Sequence, residues 1–261
     1  MYKTRITFLV TTIYVLTAIC WLVFWLKPFL IGMTVLPILG GVFGLYRASE
    51  WGGLKSAVGR SLTFLSLGMI FWGGGMVIWN YYFFLGIEEV PYPSWADASF
   101  ILSWPLWALG VISLSRATGV KFALRRVKGK LQIFLIPLTA LAASYYMLIV
   151  VARGGVLDLA GSSGIKIFFD LFYPIGTAVI LAMALTFFSL SREFLGGRYK
   201  APIVVLIVGF MVNYLSDFTF SLTTTNETYF NGHFVDPLFT TAMFLLSLSL
   251  SMMKPPISEE K

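Results

Sequence analysis

The chain has 261 residues, of which 58% are hydrophobic, 17% aromatic and 12% charged, whereas an ordinary soluble domain carries about 25% charged residues. That composition excludes a water-soluble globule. A membrane span takes about 20 apolar residues, so eight spans would consume about 160 and leave no room for an appended catalytic or nucleic-acid-binding domain.

The formal charge of +7 would point to nucleic acid in a soluble protein. Here the Lys and Arg lie between hydrophobic runs, where they set membrane topology, and no nucleic-acid partner is expected. Cys20 is the only cysteine, so no intrachain disulfide or cysteine-based metal site is expected. The opening MYKTR resembles the flank of a signal sequence. The apolar run behind it continues to Leu26 without a small-residue cleavage site, which favours a retained first span.

In chain order the apolar runs cover about 4–26, 28–47, 61–86, 96–115, 131–152, 166–191, 201–222 and 236–253. They predict an all-α integral membrane protein of eight transmembrane helices. Between the first two runs stand only Lys27 and the helix-breaking Pro28, so that boundary is the weakest. Of the 19 Lys and Arg, all but Lys27, Arg153 and Lys166 fall on one side of the alternating loops. The positive-inside rule then places both termini in the cytoplasm and the protein in a cytoplasmic (inner) membrane. The loop from Arg116 to Lys130, with six basic residues and no acid, serves as a topology determinant and could also attract anionic headgroups.

An internal repeat is the most informative feature. WNYYFF, a loop, and WADASFILSWPLWALGVISLS (79–115) match LSDFTF, a loop, and FVDPLFTTAMFLLSLSLS (215–251). Asn80 thereby aligns with Asp217, Asp97 with Asp236 and Phe100 with Phe239. Upstream, KPFL through LYRASEWGG (27–53) parallels YPIG through LSREFLGG (173–197). The chain is expected to be one membrane domain over 1–261, built from parallel four-helix repeats at 1–116 and 131–254, with a short cytoplasmic tail at 255–261. An even number of spans per repeat gives both copies the same orientation, unlike an inverted-repeat transporter.

Ionisable residues at membrane depth are costly and point to function. Asp170, Asp217, Asp97, Asp236 and Asn80 all fall toward the outer ends of their runs, and Trp79, Trp95, Trp104, Tyr173 and Tyr214 lie around them. Together they are expected to form an outward-facing polar and aromatic ligand pocket, suited to a small cation held by charge, hydrogen bonds and cation–π contact. A plainer role competes for Asp97 and Asp236, which stand where an N-cap carboxylate satisfies exposed backbone N–H groups. Trp and Tyr also populate interfacial belts. Asn80 and Asp217, late in their helices at matched positions, do not fit capping.

Other chemistries lack their residues. No lysine sits deep in a span for a retinal Schiff base, and His233, in an outer loop and expected to be solvated, is the single histidine, too few for a bis-histidine haem or a zinc site. No catalytic residue, metal or cofactor is predicted, and an enzyme is not expected.

The stretch VPYPSWADASFILSWPLWALGVISL resembles a pattern in the multi-helix membrane sensor regions of bacterial diguanylate cyclases (GGDEF proteins) and some histidine kinases. The matching positions are Pro93, Ser94, Ala96, Asp97, Phe100, Trp104, Pro105, Leu106 and Gly110. FYPIG (172–176) is similar to a second stretch of that family, with Thr177 in place of its Asp. YLSDFTF and YFNGHFVDPLF resemble its closing hairpin through Asp217, Tyr229, Gly232 and Asp236. The resemblance covers the chain from about residue 60 onward and implies a ligand sensor. Because SMMKPPISEEK closes the sequence without an output domain, its signal is expected to pass through a homodimer or a separate signalling partner. The expected partners are thus the lipid bilayer, a small molecule from the outer side, and that signalling protein. A small-solute transporter of parallel repeats is the alternative, and an intramembrane enzyme the weakest one.

Overall fold

A computed structural model describes residues 2–24, 29–87, 91–118, 120–155, 164–191 and 199–255; the side chains of 2–5, 20–24, 29–31, 170, 171 and 174 lie outside that description. Every regular element among the described residues is helical. In chain order these are α1 (Tyr2–Phe24), α2 (Phe29–Glu50), α3 (Ala57–Phe84), α4 (Trp95–Ala117), the short α5 (Val120–Ala123), α6 (Val127–Tyr145), α7 (Gly164–Ser191), α8 (Lys200–Thr225) and α9 (Val235–Met252). A 3₁₀ turn at Gly53–Lys55 joins α2 to α3, and α6 continues through a π-wound segment, Tyr146–Val151.

Five described helical segments are long and apolar enough to cross a bilayer: Ala57–Phe84, Trp95–Ala117, Val127–Val151, Lys200–Thr225 and Val235–Met252. Shorter apolar stretches run through Ile6–Ile19 and Ile175–Ser191. The chain is therefore an all-helical membrane protein. The two runs separated by Lys27-Pro28 fold as separate helices, α1 and α2, although the junction itself lies outside the described residues. The basic loop expected between Arg116 and Lys130 contains the extra turn α5, which the apolar pattern does not predict because it is too short to show a period.

Local chemistry sets the helix ends. Gly52, at φ 81°, takes the left-handed conformation that ends α2 and opens the turn. Ser56 then caps α3 by accepting from the Gly59 amide at 2.8 Å. At the head of α4 the Ser94 hydroxyl accepts from the Ala96 amide at 3.2 Å, while Asp97 reaches back to the Ser94 amide at 2.7 Å, a reciprocal capping box. Inside the helices, Thr11, Thr17, Thr63, Thr186, Thr219 and Thr240 each donate to the carbonyl four residues earlier. That bond lets a hydroxyl sit in an apolar helix without a partner elsewhere.

The packing closes into a ring. α2 packs on α3, α3 on α4, α4 on α7, α7 on α8, α8 on α9, and α9 back on α2. α1 lies outside the ring against α2 and α9, and α6 lies outside it against α7. Serine hydroxyls cross several of these seams: Ser61 to the Gly110 carbonyl (2.8 Å), Ser99 to Phe71 (2.7 Å), Ser247 to Leu36 (2.9 Å) and Ser249 to Pro202 (2.9 Å). Trp107, Leu62, Leu65, Met69, Ile203, Met243, Leu246 and Leu250 fill the middle and are almost wholly buried.

The α2–α9 seam depends on a missing side chain. A Cβ at Gly40 would stand 2.9 Å from the Cα of Ser247 and closer still to its side chain. A backbone atom cannot swing away, so the helices would have to separate. Gly40→Val is expected to destabilise the protein by about 1–3 kcal/mol, the usual range for overpacking. Thermal melting of the purified protein in detergent would show it as a lowered midpoint, and an unchanged midpoint would contradict the seam.

Candidate functional site

Three helices of the ring each present two residues one or two turns apart on a common face. On α4 these are Asp97 and Trp104, on α7 Tyr173 and Thr177, and on α8 Asn213 and Asp217. Spacings of four or seven residues bring such pairs to one side of a helix. The Tyr173 hydroxyl donates to Asp97 Oδ1 at 2.5 Å. One turn further along α7, Thr177 accepts from the Trp104 indole N–H at 3.3 Å and donates to Asp217 Oδ2 at 2.7 Å. Asn213 completes the chain by donating its amide to the same Oδ2 at 3.1 Å. Thr177 is thus the hinge of the network, using its hydroxyl as donor and acceptor at once.

Aromatic rings wall this junction. Trp104 meets Tyr173 edge-on at 5.2 Å, Phe172 at 5.9 Å and Trp107 at 6.4 Å, and Trp107 continues to Phe210 at 5.7 Å. Gly176, between Tyr173 and Thr177, leaves room for the indole of Trp104, which would stand 3.0 Å from a Cβ placed there.

The two carboxylates differ in access. Asp97 is 5% exposed and is occupied on both oxygens, by Ser94 and by Tyr173. Asp217 is only partly buried, and both of its recorded bonds fall on Oδ2, which leaves Oδ1 to accept. Among the described residues neither forms an ion pair with a Lys or Arg, and the ion pair recorded there is Arg47 with Glu50. The junction therefore offers carboxylate acceptor capacity inside aromatic walls, the chemistry that receives a cation or a hydrogen-bond donor.

Of the expected pocket residues, the structure brings Asp97, Trp104, Tyr173 and Asp217 together. Tyr214 is next to Asn213 on α8 and half-buried. The side chain of Asp170 lies outside the described residues. Asn80 donates to Thr34 of α2 at 2.7 Å, so its recorded partner belongs to the α2–α3 seam. Trp79 packs against the core, and Trp95 stands 77% exposed at the head of α4. Asp236 is 1% exposed and takes the Gly232 amide at 2.8 Å and the Tyr229 hydroxyl at 2.9 Å, bonds that close the loop into α9. His233, expected in solvent, is half-buried instead, 4.3 Å from the Phe234 ring and 5.3 Å from Phe230. The aromatic residues on both sides of it supply that cover.

Two members were missed as site residues. Asn213 stands four residues before Asp217, a spacing visible in the sequence. Thr177 was noted only as a departure from a family pattern, and an isolated threonine in an apolar helix carries no signal of its own.

Cutting the hinge should be measurable. Thr177→Val removes the donor to Asp217 and the acceptor for Trp104, and is expected to cost about 1–3 kcal/mol. In a double-mutant cycle with Asp217→Asn the pair should show a coupling of about 0.5–3 kcal/mol; additive effects would contradict the bond.

Loop chemistry offers a separate test. Tyr229 lies between α8 and α9, and its burial, with the facing Asp236 carboxylate, holds its hydroxyl pKa well above the ordinary value. The stability from this bond is present in full below about pH 10, the ordinary tyrosine value, and is lost as pH rises through the raised folded value. Ultraviolet titration to about pH 11 should therefore count the same ionising tyrosines in wild type and Tyr229→Phe; one fewer in the variant would refute the assignment. No protein-family model, curated protein or solved structure matches this chain.

Proposed function

We propose that the protein is a multi-pass sensing or interaction module of the cytoplasmic membrane, and that it binds a small cationic ligand from the outer side at the junction of α4, α7 and α8. The observation that carries this reading is the pair of carboxylates, Asp97 and Asp217, without cationic partners among the described residues and joined through Tyr173, Thr177 and Trp104. A buried anion without a counter-charge is costly, and a ligand ammonium would supply that charge between aromatic faces. Asp217, the less buried of the two residues and with Oδ1 left to accept, is the group that meets the ligand, and Trp104 and Tyr173 supply the aromatic walls.

The same proposal includes eight spans in two parallel repeats with both termini in the cytoplasm. Helix lengths support the count: α1, α2 and α7 have 23, 22 and 28 residues. The ring supports the duplication, because exchanging α1–α4 with α6–α9 maps α2 on α9 onto α7 on α4, and α2 on α3 onto α7 on α8. At equivalent seams, Asn80 meets Thr34 and Asp217 meets Thr177. In this scheme an ammonium engaging Asp217 competes with the hydroxyl of Thr177 for the carboxylate and so loosens α7, the element through which a signal would reach a homodimer or signalling partner.

The test is mass spectrometry of small molecules released from the purified protein, joined to calorimetric titration with primary and quaternary organic ammonium ions. A compound retained by the wild type and bound about tenfold or more weakly by Asp217→Asn is expected, as for loss of one charge-assisted hydrogen bond. Equal binding by the variant would refute the site. Counterflow of that compound in proteoliposomes would replace sensing by transport.

A further inference from the structure

At the opposite functional extreme from the acidic junction lies a buried cation. Arg47, in the last turn of α2, is 1% exposed. Its Nη1 donates to Glu50 Oε2 at 2.5 Å. Its Nε and Nη2 are buried and have no hydrogen-bond partner among the described residues. These two N–H groups share one edge of the guanidinium and point the same way, the fork that grips a phosphate or carboxylate with two parallel bonds. Glu50 holds the opposite part of the group and so sets the direction of the free edge.

The surroundings tell which anion fits. Trp51, just beyond α2, joins three helix ends: its amide donates to the Arg47 carbonyl at 3.2 Å, its indole N–H to the Met253 carbonyl at 3.1 Å, and its ring meets Tyr199 at 5.8 Å. Lys254 follows Met253, Lys200 follows Tyr199, and Lys55 closes the turn after Trp51. Lys55 and Lys200 are exposed. Three lysines thus surround the same helix ends, and Glu50 is already engaged by Nη1. Basic recesses between the ends of membrane helices, next to an interfacial tryptophan, are where phospholipid headgroups bind.

We propose that the free edge of Arg47 anchors a phosphate site, filled by the phosphodiester of an anionic phospholipid or by free phosphate, with Lys55, Lys200 and Lys254 supplying the outer charge. The edge is buried, so phosphate binding requires side chains at this end of the bundle to part. The site does not depend on the ligand reading of the α4–α7–α8 junction.

The test titrates the purified full chain in neutral detergent, by native mass spectrometry and thermal shift, with short-chain phosphatidylglycerol, inorganic phosphate and a diacylglycerol of the same tails. Phosphatidylglycerol should bind saturably and raise the melting temperature, and diacylglycerol should not. Saturation by phosphatidylglycerol alone identifies the lipid as source, and equal saturation by inorganic phosphate identifies the free ion. Arg47→Gln should weaken binding about tenfold or more, the loss of a charge-assisted pair. The Lys55→Gln, Lys200→Gln, Lys254→Gln triple variant, which leaves the buried edge intact, should weaken it several-fold and flatten its salt dependence. Absence of saturable binding of either phosphate probe to the wild type, equal binding of diacylglycerol, or unchanged affinity in Arg47→Gln would overturn the proposal. Should Arg47→Gln not fold, unchanged affinity in the triple lysine variant would do so.

Discussion

Inside a bilayer no water is available to a polar group, so the hydroxyls, amides and carboxylates of membrane helices gain by finding partners within the protein. That constraint organises the helices. Threonines turn back onto their own helix, serines reach across to the carbonyl of a neighbour, and helix backbones come close enough for those short side chains to span the gap. Gly40 facing Ser247 shows both parts at once, since the glycine allows the approach and the serine uses it to bond Leu36. Association of apolar helices gains little from hydrophobicity in lipid, so packing and such bonds carry it.

The same rule separates carboxylates bonded within one hairpin from carboxylates bonded across helices. Asp236 is met by the Gly232 amide and the Tyr229 hydroxyl from its own hairpin, and it closes a loop. Asp97 begins in the same way, in a capping box, but its second oxygen is taken by Tyr173 from another helix. Asp217 draws its donors from α7 and from α8 itself. Carboxylates bonded across a seam couple helices, and anything that competes for their donors changes how those helices hold together. α7 is the helix so held, because its hydroxyls at 173 and 177 tie it to both neighbours in the ring.

Charge is divided along the molecule. Among the described residues the acidic junction forms no ion pair, whereas Arg47 at the end of α2 has one acid and a buried, unpartnered edge. The two unmatched groups stand on different helices, Arg47 on α2 and Asp217 on α8. This makes the two regions separable by mutation.

Composition and hydropathy by themselves determined the class, a helical membrane protein, because a chain with this little charge cannot face water. They also placed the helix boundaries near their observed positions, since Gly52, Ser56 and Ser94 act through neighbours in sequence. Asp97, Trp104, Tyr173 and Asp217 were legible as candidates because polar and aromatic groups are conspicuous in apolar runs. Tertiary structure alone decided which of these met. The ring set α7 between α4 and α8, so that an unremarkable Thr177 became the hinge and Asn213 its neighbour, while Asn80 faced α2, Trp95 faced outward and Asp236 served its own loop. Helical periodicity records which residues share a face, but the partner of that face is chosen by packing between segments far apart in the chain, and no local pattern encodes it.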